Sequence, residues 1–294
     1  MIIAVVRGNT VMSEFFQALT DPNLPFFRYA LISGLLASVP FGIIGSLVVV
    51  RRISYIAGAI SHCVLAGVGL GLYLQQAMGI SWFTPFVGAI LAALLAAVIL
   101  TVVSLRAKQR EDSVIGALWA AGMAIGLLFI ARTPGYNDPM SYLFGNILLI
   151  TKSDLYLVVT LDVLVVAAVT IFYNKFLALC FDEEYARLRG LNTGLLYLAL
   201  LCLTALTVVL LVRIVGIVMV IALLTLPAAI AGNFARNLWQ MMLCATSFCA
   251  LFIFSGLWAS YSLDLPSGPV IIMIATVVYL LVVLVLKKIS FGRP

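Results

Sequence analysis

Phe181-Asp-Glu-Glu-Tyr-Ala-Arg-Leu-Arg-Gly190 carries five charges within eight residues, in a chain of 294 residues that is 64% hydrophobic and 10% charged. Apolar runs long enough to span a bilayer flank it on both sides. Asp182 stands where a helix N-cap would stand, its carboxylate able to accept a hydrogen bond from a free backbone N–H. Glu183 and Glu184 follow in the first turn, where the helix dipole favours negative charge. Arg187 comes four residues after Glu183, the favourable order for an ion pair on one helix face. Arg189 falls in the last turn, and Gly190 can take the left-handed conformation that closes a helix. The pattern predicts a self-contained helix of about two turns over 182–190. A solvated loop helix would need no apolar residues, yet Tyr185, Ala186 and Leu188 sit among the charges. That favours a surface that docks on a soluble partner.

The composition outward from this island is that of a membrane protein. A soluble domain has too little polar surface to cover so much apolar side chain. Backbone groups inside a bilayer must be satisfied within their own segment, so the chain is expected to be an all-α, polytopic helical bundle. A span needs about 20 residues, and candidates fall at 27–49, 55–76, 84–105, 113–131, 153–175, 194–212, 214–234, 238–258 and 268–286. This gives nine spans, or eight if the break around Arg213 and Gly216 does not separate two of them. No short apolar region with a cleavage site opens the sequence, so the first span is expected to serve as its own insertion signal. With no repeat and no linker, residues 1–294 read as one transmembrane domain.

Basic residues set the orientation. Arg51 and Arg52 follow the first span, Arg106, Lys108 and Arg110 the third, Lys175, Arg187 and Arg189 the fifth, Arg236 the seventh, and Lys287, Lys288 and Arg293 the last. The intervening loop 75–84 has no charge, and 260–268 has only Asp264. The positive-inside bias therefore puts the island and the C-terminus in the cytoplasm. The net charge of +6 belongs to this pattern and is no nucleic-acid footprint. Residues before 25 are expected on the outer side, with an interfacial helix around 13–19. In the outer loop 132–153, Tyr142 to Gly145 reads as a stretch that returns toward the membrane. The five cysteines form no CxxC pair and read as packing residues.

Three further segments, taken in order with the island, resemble one known family. They are Ser54-Tyr-Ile-Ala-Gly-Ala-Ile-Ser-His-Cys-Val-Leu-Ala-Gly67, Ile214-Val-Gly-Ile-Val-Met-Val-Ile-Ala-Leu-Leu-Thr-Leu-Pro-Ala-Ala-Ile-Ala231, and Leu263-Asp-Leu-Pro-Ser-Gly268. The set is similar to the permease subunits of the zinc, manganese and iron ABC importers. The resemblance implies a type II ABC importer-like fold in a bacterial cytoplasmic (inner) membrane. It implies two permeases, identical or paralogous, surrounded by lipid, two cytoplasmic ABC ATPase subunits, and an extracytoplasmic metal-binding protein. The island would be the coupling helix, with Asp182, Glu183, Glu184, Tyr185, Arg187, Arg189 and Gly190 at the ATPase contact. The metal ion (Mn, Zn or Fe) would be cargo, with no stably bound cofactor. The chain has no Walker A sequence, so it is not expected to be an enzyme by itself.

His62 is the only histidine and falls within a span, where an ionisable group is a functional hypothesis by default. It reads either as a structural histidine or as a transient metal ligand. Many members of the family carry an aspartate four residues earlier, whereas this chain has Gly58. Loss of that hard oxygen ligand removes a donor suited to manganese and keeps an iron-chelate or cobalamin-type importer in view. Gly58, Gly67, Gly69 and Gly71 read chiefly as helix-packing glycines. Asp162, inside the fifth span, is expected to line the path or to pair with Arg213. Gly216 and Pro227 are candidates for a kink or gate, because proline frees the carbonyl four residues earlier. An intramembrane enzyme would need HExxH, GxSxG or a metal cage, none of which the sequence carries.

Overall fold

The structure is a computed structural model that describes residues 25–106, 111–135, 142–143, 145 and 150–291. The helices are α1 (Pro25–Val50), α2 (Ser54–Gln76), α3 (Pro85–Arg106), α4 (Glu111–Arg132), α5 (Lys152–Phe181), α6 (Glu183–Leu188), α7 (Thr193–Val215), α8 (Ile217–Ala231), α9 (Leu238–Leu263) and α10 (Ser267–Phe291). Among the described residues, eight are long and apolar enough to cross a membrane. The ninth apolar helix, α8, has only 15 residues, a length of about 22 Å at 1.5 Å per residue. The chain is a multi-pass membrane protein. The interfacial helix expected around 13–19 lies outside the described residues.

α2 forms the centre and is buried along most of its length. It packs on α3, α4 and α7, while α1 packs on α5, α8 and α9, and α10 on α8 and α9. Lipid tails are as apolar as leucine, so close contact between helices in a bilayer relies on small residues that let backbones approach. Here α2 and α3 cross at Gly67 and Gly88. A Cβ at either position would lie 2.2 Å from the carbonyl oxygen of the other. A Cβ at Gly69 would lie 2.5 Å from the Gly126 carbonyl oxygen of α4, and one at Gly71 would lie 2.6 Å from Pro85 Cα. The packing expected of these glycines is what the structure shows. Buried hydroxyls such as those of Ser46 and Ser61 bond within their own helices: Ser46 donates to the Gly42 carbonyl at 2.7 Å and Ser61 to that of Ala57 at 3.0 Å, whereas the Thr207 hydroxyl has no partner among the described residues.

The break between α7 and α8 is at Gly216, with φ 80° and ψ 163°, a conformation that favours glycine. Gly145, also at positive φ, lies against this break, where a Cβ would stand 2.4 Å from the Val215 carbonyl carbon. Gly145 is thus fitted onto the α7–α8 break, and Tyr142 and Leu143 pack on the core as the sequence suggests. α8 runs as one helix through the buried Pro227. Asp264 ends α9 in the left-handed conformation. α4, α5 and α10 turn apolar residues such as Leu128, Val163, Ile171 and Leu284 outward, as lipid-facing helices do.

Candidate functional site: a charged connector and a buried histidine

The connector is tighter than the span limits suggested. α5 does not stop at Lys175 but continues to Phe181, with the Lys175 ammonium 5.0 Å above the Phe172 ring. The aliphatic stem can lie along the apolar helix while its charge stays over the aromatic face. Asp182 alone separates α5 from α6, in extended conformation with φ −151°. Its carboxylate accepts the Tyr185 N–H at 2.9 Å. At the other end, Leu191 N–H donates to the Ala186 carbonyl at 3.1 Å and Gly190 adopts φ 76°. Both stops lie where the sequence places them.

Glu183 makes the expected bond to Arg187, at 2.6 Å, and a second, unexpected one to Arg51 at the end of α1. Arg187 also donates from Nε to the Thr193 hydroxyl at 3.0 Å, at the start of α7. Arg51 in turn lies 5.7 Å over the Tyr197 ring of α7. α6 is therefore joined to α5 through the single residue Asp182 and tied through Glu183 and Arg187 to the end of α1 and to α7. Burial alone would raise the Glu183 carboxyl, but the hydrogen bonds from Arg51 and Arg187 outweigh it and hold it below the usual carboxylate range. Ala186 is buried beneath the helix, whereas Glu184, Tyr185 and Arg189 face outward and Leu188 is 87% exposed. Arg189 lies 5.2 Å over the Tyr185 ring. An open cleft of about 800 Å³ adjoins this face, lined among others by Lys175, Phe181, Tyr185 and Arg189. A small, capped helix with an apolar tip, anchored to three long helices, can pass movement between a docked partner and the bundle.

His62 is only 6% exposed. Its ring stacks on the indole of Trp119, with centroids 4.4 Å apart and planes at 28°. Nδ1 has no hydrogen-bond partner among the described residues. The same indole fills the space beside Gly58, where a Cβ would lie 2.3 Å from the ring. Tyr55 extends the aromatic row, its ring 5.5 Å from Trp119. Sequence reasoning missed Trp119. The glycine one turn before His62 signals a close neighbour on that face, but not which residue supplies it.

Asp162 is half-buried on α5, and its Oδ1 has no hydrogen-bond partner among the described residues. α5 packs chiefly on α1 and α7, and α2 on α3, α4 and α7, and no hydrogen bond joins His62 Nδ1 to Asp162 Oδ1 among the described residues. The Arg213 side chain, the other partner considered for Asp162, lies outside the described residues. No group of three His, Cys, Asp or Glu is placed to hold a metal ion among the described residues. Gly216 sits at the α7–α8 break and Pro227 within α8, apart from the connector.

The model of the ABC 3 transport family matches residues 23–286. A probable metal transport system membrane protein of Chlamydia pneumoniae is 40% identical over 264 residues, 90% of each chain. The manganese transport system membrane protein MntC of Listeria innocua is 33% identical over 90% of this chain and 91% of its own. Among solved structures, PsaBC from Streptococcus pneumoniae in complex with Fab superposes with a TM-score of 0.81 at 29% identity, covering 92% of this chain and 95% of that one. With the family model spanning nearly the whole sequence and these relatives aligned almost end to end, the chain belongs to the ABC 3 transport family.

Proposed function

We propose that the chain is the membrane permease subunit of an ATP-driven importer for a divalent transition-metal ion, with manganese the leading candidate. The observation that carries this reading is the anchored, outward-facing α6 between two membrane spans. It is supported by relatives named as metal and manganese transport membrane proteins. Those names speak for a bare ion over a chelate or cobalamin-type ligand.

In this reading the α6 end of the bundle and the C-terminus are cytoplasmic, in the bacterial inner membrane. ABC ATPase subunits dock on Glu184, Tyr185, Leu188 and Arg189, while Asp182, Glu183, Arg187 and Gly190 keep the helix in shape. A second permease, identical or paralogous, completes the path, and an extracytoplasmic metal-binding protein delivers the ion. The chain supplies the path and the partner ATPases supply the hydrolysis. His62 offers one transient nitrogen ligand, and Asp162 lines the path. The α7–α8 break at Gly216 and the Pro227 region form the parts of a gate.

Reconstitution tests this directly. Proteoliposomes containing the permease and its ATPase, supplied with metal-loaded binding protein, are expected to accumulate manganese only with ATP. Asp162→Asn should slow uptake with assembly unchanged; an undiminished rate removes Asp162 from the path. Failure to accumulate manganese, zinc or iron would overturn the metal assignment.

A further inference from the structure

We propose that Trp119 is the specificity-determining residue at His62: its indole takes the space in which a second ligand on α2 would stand, and so keeps the site to a single nitrogen donor. The inference rests on the metal-import reading.

Residues 58 and 62 lie one turn apart on the same face of α2, so position 58 is the nearest place on that helix for a partner ligand. The Trp119 ring fills it, with three ring atoms 2.3, 2.8 and 3.3 Å from a Cβ built on Gly58. The other neighbours one turn away, Ala59, Leu65 and Ala66, carry no donor. The adjacent Cys63 thiol points to the Leu118 carbonyl of α4 at 3.6 Å. Trp119 is held in place by the helix that carries it. One turn later Gly122 brings the α4 backbone against α2, where a Cβ would lie 2.8 Å from Cys63 N and 2.9 Å from the His62 carbonyl carbon. That contact fixes the indole over both Gly58 and His62.

The chemical consequence follows from ligand number and type. One neutral imidazole holds a divalent ion weakly, and manganese prefers oxygen donors to nitrogen. Conduction also requires that an ion be bound weakly enough to leave. Trp119 thus favours release over retention, and its removal together with a new carboxylate should convert a passing site into a holding one.

The test is metal binding by the full-length chain in detergent micelles, with Mn²⁺ followed by loss of its free-ion electron paramagnetic resonance signal. Wild type and Gly58→Asp are expected to bind weakly and alike. Monodisperse Trp119→Ala/Gly58→Asp should bind Mn²⁺ at least about tenfold more tightly, a difference of about 1.4 kcal/mol. Adding His62→Ala should remove the gain. A second pair, Trp119→Ala/Gly58→Cys probed with Zn²⁺, keeps the test open if the aspartate variant does not fold. The proposal is overturned if Gly58→Asp alone tightens binding as much as the double variant. It is also overturned if neither double variant, once folded, binds more tightly than wild type. Because binding is read without uptake, these results fail separately from the import reading, which falls only if wild-type proteoliposomes move no metal.

Discussion

Gly67→Val is expected to prevent the bundle from assembling, so that little or no monodisperse chain is recovered in detergent. The two atoms nearest an added Cβ are the Gly88 carbonyl oxygen and carbon, at 2.2 and 2.6 Å. Both are backbone, so no side-chain rotation relieves the contact, and α2 and α3 must move apart. That displacement would also loosen Gly69 against Gly126 and Gly71 against Pro85, the adjoining contacts on the same helix. Overpacking of a well-packed core costs about 1–3 kcal/mol where neighbours can adjust. Here they cannot, so a loss of about 3 kcal/mol or more is expected, a large part of the 5–15 kcal/mol typical of folded domains. Gly116→Val on α4 is the matched control, since a Cβ there meets nothing within 4 Å. Size-exclusion profiles after a heating series should show the control unchanged and Gly67→Val aggregated. Equal profiles would mean that the α2–α3 crossing is not as close as described.

Glu183→Gln is expected to leave a folded permease that transports poorly. The carboxylate receives hydrogen bonds from Arg51, which directly follows α1, and Arg187 of α6, and Arg187 reaches on to Thr193 of α7. Partly exposed ion pairs contribute only about 0–1 kcal/mol to stability, so the melting temperature should change little. Transmission of movement is another matter. Without the charge, α6 keeps its link to α5 but loses its ionic tie to α1, and its hold through Arg187 loosens. Changes along such coupling networks alter coupling by about 0.5–2 kcal/mol, so a fall in ATP-driven uptake of about tenfold is expected. Glu183→Asp should fall between the two, because the charge remains but its reach shortens. The pH dependence has a definite sign. A carboxyl held below its ordinary value keeps its ionic contacts fully above about pH 4.3, the unperturbed glutamate pKa, and loses them only as pH falls through the lowered one. Uptake between about pH 5.5 and 7.5 should therefore show no transition from Glu183.

What the sequence disclosed and what it withheld divide along one physical line. Features set by neighbours in the chain were legible. The Asp182 cap, the Glu183–Arg187 pair and the Gly190 stop all act within one or two turns, and each lies where local rules put it. The apolar runs gave the helices, and the ambiguous break near Arg213 proved to be a real turn at Gly216 followed by a short α8. α5 runs beyond the span limit that Lys175 marks in the sequence, because a lysine there can stay helical with its head over Phe172. Contacts between distant residues were not legible. The Arg51–Glu183 bond joins positions 132 residues apart, and Trp119 reaches His62 only because α4 lies against α2 at Gly122. Gly58 marked a departure in the sequence, but its reason, an indole occupying the space, required the packed helices.

A chemical cross-link at the tip of α6 gives the sharpest check on this helix as the ATPase contact. Leu188 is 87% exposed, while the native cysteines are buried or half-buried, so a thiol introduced by Leu188→Cys would be the most accessible. Membranes containing this variant and the ATPase subunits, treated with a thiol-to-amine reagent, should yield a permease–ATPase product whose amount changes with ATP. Phe234→Cys, also exposed, in the turn between α8 and α9, should yield much less. A product at Phe234→Cys with none at Leu188→Cys would contradict the assignment and place the driving contact elsewhere on the bundle.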